Sequence, residues 1–98
     1  MRQNYRADGR GKQPRSRQWT NESRRIGARI EEIRRRNFRT RRAASEAMKV
    51  RLGECKTLNP ERIRNIETKG NAIAVELGWL AQVYNCQITD FYTHPYSD

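Results

Sequence analysis

Residues 59–70, NPERIRNIETKG, read as one short helix with its own start, its own stop and two unlike faces. Asn59 can accept from the first free amides, Pro60 suits the first helical position, and Gly70 is a natural terminator after Lys69. At 100° per residue, Ile63 and Ile66 share one stripe, while Glu61, Asn65 and Thr68 lie opposite and Arg62, Arg64 and Lys69 run along the flanks. Such a helix needs a core for one side and leaves the other for a polar partner.

The rest of the chain supplies helices to build that core. Ile26, Ile30 and Ile33 recur at spacings of four and three, which predicts a helix over residues 21–36, capped by Thr20 or Asn21 and with Glu22 in its first turn. Trp19 is expected to staple its start as a packing residue. Thr40 is the natural cap of a second helix running through Ala43, Ala44, Ala47 and Met48, whose small side chains let another helix come close. After Gly70, Ile73, Leu77, Leu80, Ala81 and Tyr84 predict a helix over 71–84. The ITDFY segment, 88–92, reads as a final turn returning Ile88 and Phe91 to the core. No internal repeat and no strand-like alternation appears, so the expected class is all-α. The domain spans 19–92, preceded by a disordered basic arm at 1–18 and followed by a tail at 93–98.

Ninety-eight residues suffice for one modest core and leave little room for a catalytic cleft. No nucleophile stands beside a histidine and no glycine-rich phosphate loop occurs, so no enzymatic activity is expected. Cys55 and Cys86 lie 31 positions apart with a lone His94, which offers no metal-ligand set and no cofactor site. Two such thiols are expected to be reduced and buried, a disulfide being the alternative. No apolar run approaches the ~18 residues of a membrane span, and no signal-peptide pattern opens the sequence. The expectation is a cytoplasmic, nucleoid-associated protein with no membrane partner.

Charge narrows the partner class. Twenty-one Lys and Arg against eleven Asp and Glu give a formal +10 and attract polyanions. The excess is uneven, at +5 over residues 1–21, +8 over 22–70 and −3 over 71–98, which places the binding surface in the first two thirds. Residues 34–42, RRRNFRTRR, hold six arginines just ahead of the 59–70 helix; Arg39, Arg41 and Arg42 are candidate phosphate contacts, with Arg64 and Lys69 beside them. In the arm, Arg10, Lys12, Arg15 and Arg17 are candidates for tracking phosphates or a minor groove. Arg, Asn, Thr and Glu have defined partners on base edges in the major groove, which admits a helix. Residues 59–70 are therefore the candidate recognition helix, with Glu61, Arg62, Asn65 and Thr68 as candidate base readers.

With RIGARIEEIR, the Thr40 cap, Ala44, Ser45 and Met48, then IRNIETKG and LAQVYNCQITDFY in order, residues 26–92 resemble the helix-turn-helix domain of lambdoid phage repressors, Cro proteins and the Xre family. The resemblance implies a compact five-helix bundle whose third helix enters the major groove while the second crosses the backbone. It implies a structural ion pair of Arg34 with Glu67, base contacts from Glu61, Arg62 and Asn65, and phosphate contacts near Arg41 and Arg64. One departure stands out. The family joins its second and third helices by a few residues, whereas about eight extra lie between Met48 and Asn59, either as a longer helix ending near Gly53 or as an inserted GECKTL loop.

The leading expectation is thus a sequence-specific double-stranded DNA-binding transcriptional regulator, a repressor of phage or mobile-element type, acting alone or as a homodimer. Two alternatives stand beside it. One is a basic RNA-binding protein, whose usual aromatic sheet modules are missing from this sequence. The other is an antitoxin-like module binding a protein partner through the acidic C-terminal third, with Tyr92 and Tyr96 either as contacts or as edge-of-core packing residues.

Overall fold

The computed structural model describes residues 12–92, and side chains over 21–92. Among the described residues there are four α-helices and no strand: α1 (Lys12–Asn37), α2 (Arg41–Leu52), α3 (Pro60–Lys69) and α4 (Ala74–Val83), with 3₁₀ turns at Glu54–Lys56 and Ile88–Tyr92. The all-α class holds. The expected five helices do not, because beyond α4 the chain passes through Asn85, at φ 58°, into a five-residue 3₁₀ turn too short to become an α-helix. There the carboxylate of Asp90 accepts from the amide of Gln87 at 2.9 Å and closes the turn.

α1 begins nine residues before the expected start, so residues 12–18, read as part of a disordered arm, are helical. Pro14 is the third residue of the helix, in the first turn, where an amide has no partner to lose; neither Gly nor Pro comes after it until Gly27. Thr20 and Asn21 therefore lie inside α1 and do not cap it, and the stapling role of Trp19 falls outside the described side chains. Further along, Ile30 and Ile33 are buried and Ile26 half-buried, as the 4-3 spacing requires.

α2 starts at Thr40, whose hydroxyl accepts from the Ala43 amide at 3.0 Å, and buries Ala44, Ser45 and Met48. Both readings of the long connection are partly realised. The helix does reach Leu52, with Gly53 closing it at φ 96°, and residues 53–59 then form a loop containing the 3₁₀ turn. Thr57 donates its hydroxyl to the Gly53 carbonyl at 2.6 Å and Leu58 is buried, so this loop is anchored at both ends.

α3 has the boundaries its punctuation predicts. Asn59 accepts from the Arg62 amide at 2.7 Å, Pro60 opens the helix, and Gly70 ends it in the left-handed conformation at φ 67°. Ile63 and Ile66 are both 0% exposed. α4 is shorter than the predicted 71–84 because Ile73 precedes its first turn, donating its amide to Glu76 at 3.0 Å while its side chain stands 59% exposed. Leu77, Leu80, Ala81, Val83 and Tyr84 face inward. Of the last turn, Phe91 enters the core and Ile88 stays outside.

One continuous core joins these elements: Ile30 and Ile33 from α1, Ala44 and Met48 from α2, Ile63 and Ile66 from α3, Leu77 and Leu80 from α4, and Phe91. α1 and α3 cross at backbone distance. A Cβ on Gly27 would lie 2.5 Å from the Glu67 carbonyl, and one on Gly70 only 1.7 Å from that of Ser23. Glycine is therefore required at both positions. Arg51 fastens α2 to α4 by donating to the Val83 carbonyl at 3.0 Å, with its guanidinium 5.7 Å above the Phe38 ring.

Candidate nucleic-acid interface

The anchoring of α3 begins with a buried carboxylate. Glu67 has a side chain 0% exposed, one turn beyond Ile63, where it accepts from Arg34 Nε at 2.6 Å and from Arg41 Nε at 2.7 Å. Arg34, itself buried, also donates Nη1 to the Phe38 and Arg39 carbonyls at 3.2 and 3.1 Å, so one guanidinium holds α3 and the end of α1 together. The Arg34 to Glu67 pair implied by the resemblance is thus present in the geometry. Arg41, expected near a phosphate, is engaged with Glu67 and lies 3.8 Å from Glu31, with its side chain 30% exposed. A carboxylate enclosed by folding has two oxygens to satisfy, and Arg41 serves the one that Arg34 Nε does not.

Ion pairs along α1 thin the arginine cluster further. Arg35 pairs with Glu31 at 2.7 Å and Arg36 with Glu32 at 3.0 Å. Glu32 is held below its ordinary carboxylate range, first by Arg29, which donates at 3.0 Å, and also by Arg36. Of the six arginines over 34–42, only Arg39 and Arg42 have side chains with no ion-pair or hydrogen-bond partner among the described residues. Both are exposed. Arg64 and Lys69 on α3 are likewise exposed, with side chains unpaired among the described residues.

The outward side of α3 carries Glu61 and Thr68 exposed and Asn65 half-buried. The Thr68 hydroxyl donates back to the Arg64 carbonyl at 2.9 Å, leaving the oxygen free to accept only. Arg62, a candidate base reader, is engaged within the protein. Its Nε and Nη2 donate to the two carboxylate oxygens of Glu76 at 2.9 and 2.7 Å, while Nη1 and Nη2 reach the Asn71 side chain and carbonyl at 3.2 and 3.1 Å. Four of its five N–H donors are engaged, which leaves no pair free for a bidentate base contact. The hydrogen bonds from Arg62 are the main reason the Glu76 carboxyl sits below its ordinary range, against the opposing effect of burial. Glu76 and Asn71 were missed by sequence reasoning. The available signal was an acid in the first turn of α4, whose partner lies 14 residues away and is not a helical neighbour.

Beside the first turn of α3, the long connection opens a groove of about 500 Å³ lined by Arg42, Ser45, Glu46, Lys49, Glu54, Thr57, Asn59 and Pro60. Its two cations and two carboxylates cancel, and Lys49 is paired with Glu54 at 3.3 Å. Cys55 is exposed, against the expected burial, and Cys86 half-buried; both are free thiols, and burial raises the pKa of Cys86 with a smaller contribution from Asp90. Among the described residues no group of three or more His, Cys, Asp or Glu could hold a metal, and no helix is long and apolar enough to cross a membrane. Of the N-terminal candidates, Arg10 lies outside the described residues, and Lys12, Arg15 and Arg17 outside the described side chains. Comparison with protein-family models, with curated proteins and with solved structures returns no match.

Proposed function

We propose that this protein is a sequence-selective double-stranded DNA-binding regulator of the helix-turn-helix type, with α3 in the major groove and α2 across the backbone. The observation that carries the reading is the division of α3. Ile63 and Ile66 are fully buried and Glu67 is tied to two arginines, while Glu61, Asn65 and Thr68 are offered outward within a rim of unpaired cations, Arg39, Arg42, Arg64 and Lys69. A helix fixed on one side and polar on the other, surrounded by positive charge, suits base edges flanked by phosphates. Asn65 is the best placed base reader, because its amide pairs with both donor and acceptor on adenine. The resemblance of residues 26–92 to the Xre and lambdoid repressors supports the same assignment and suggests repression as the outcome.

The test is selection of duplexes from a random pool, and then Asn65→Ala against the selected site. A defined consensus is expected, with the substitution costing roughly 1 to 3 kcal/mol at one base position and little on unrelated duplexes. Equal weakening on every duplex would remove α3 from the interface. A pool that yields no consensus would sink the reading altogether. The exposed Ile73, Val75, Ile88 and Tyr92 in the C-terminal third favour, as the second reading, a module that binds a protein partner.

A further inference from the structure

Base readout demands that α3 keep one orientation on the body. Its C-terminal half is anchored through Glu67, but the groups expected to read bases extend back to Glu61, about 9 Å further along the axis at 1.5 Å per residue. A tilt of about 10° about the Glu67 anchor would move that first turn by roughly 1.5 Å, beyond the ~0.5 Å tolerance of a preorganised binding constellation. Something must hold the N-terminal turn as well.

Arg62 stands in the right place to do so. It leaves α3 one turn after its cap and closes a two-oxygen pair with Glu76 at the start of α4. On the way it holds both the side chain and the carbonyl of Asn71, in the turn between the two helices. Glu76 is only 12% exposed at its side chain and also receives the Ile73 amide, so its own position is set by α4. Moving Arg62 away would strand a mostly buried carboxylate. We propose that Arg62 is a positioning residue, a latch that with Glu76 and Asn71 fixes the pitch of α3 and thereby sets sequence discrimination without touching a base. This rests on the duplex-reading function proposed above and deepens it.

The experiment measures binding of wild type, Arg62→Lys, Glu76→Gln and the double variant to a duplex selected from a random pool and to a scrambled duplex, over a range of salt. Each single variant is expected to lower the ratio of the two affinities about tenfold, the factor that loss of one charge-assisted hydrogen bond represents. The double variant should lower it no further than either alone, because one interaction is being removed twice. Scrambled-duplex affinity and salt dependence should stay unchanged. Asn71→Ala, at an exposed turn residue, removes one arm of the latch without stranding a charge. It should lower the ratio in the same direction, so the test stands even where Glu76→Gln does not fold. The latch is overturned if Arg62→Lys lowers the ratio while Glu76→Gln and Asn71→Ala leave it at the wild-type value, or if the Arg62 and Glu76 effects multiply. Arg62 would then be a contact residue. A wild-type ratio near one, seen before any substitution, overturns the duplex-reading function itself.

Discussion

Tyr84 shows what a single polar atom costs in this core. Its ring is packed 6.1 Å from that of Phe38, yet its hydroxyl is buried without a hydrogen-bond partner among the described residues. Burial, reinforced by the Glu67 carboxylate, drives the phenol well above its ordinary pKa. An unpaired buried hydroxyl forfeits its hydration for nothing, a penalty of about 1 to 3 kcal/mol. Tyr84→Phe is therefore expected to leave stability unchanged or raise it by up to ~1 kcal/mol in urea unfolding. A clear loss of stability would mean that the hydroxyl is hydrogen-bonded after all. Glu67 is the opposite case, a buried acid whose two arginines satisfy it, and for that reason Arg34 and Arg41 serve the fold before they serve any ligand.

Among the elements, the crossing of α1 over α3 sets the geometry on which the interface depends. Interdigitating side chains usually separate helices by 8 to 10 Å, but here Gly27 admits the carbonyls of Ile66 and Glu67 directly against α1. Gly to Ala inside a helix normally stabilises by roughly 0.8 to 1 kcal/mol. At Gly27 the added methyl would meet backbone atoms that cannot rotate away, and overpacking of this kind costs about 1 to 3 kcal/mol or more. Gly27→Ala should therefore lower stability on balance, read as a fall in the urea midpoint. A midpoint at or above wild type would contradict so close a crossing. Element boundaries were legible wherever local chemistry marks them, as at Thr40, Asn59 and Gly70. The start of α1 was not, because a proline in the first turn and then unbroken helix-compatible sequence carry no stop signal.

Over the whole molecule, a net +10 overstates what is free to meet a polyanion. On the described surface the unpaired cations at the interface reduce to Arg39, Arg42, Arg64 and Lys69, while the first 18 residues carry six more basic side chains. Each phosphate neutralised on duplex DNA contributes about −0.9 to the slope of log affinity against log salt, so the full chain is expected between about −4 and −9. Titration of one duplex at four or five salt concentrations checks this. A slope near −1 would leave the cationic rim without a part in binding.

Sequence by itself determined the class, the caps at Thr40, Asn59 and Gly70 and the inward turn of Ile63 and Ile66, because each depends on residues within a few positions along the chain. It also located the excess of positive charge. Which charges remain available was decided only by the tertiary structure. Arg62 finds Glu76 14 positions away and Arg41 finds Glu67 26 positions away, pairings that no helical spacing encodes. A carboxylate enclosed by folding takes its counter-charge from whichever arginine the packing brings within reach, since an unpaired charge cannot be left inside. Periodicity can say that a side chain faces outward, but its partner is fixed by how the helices pack.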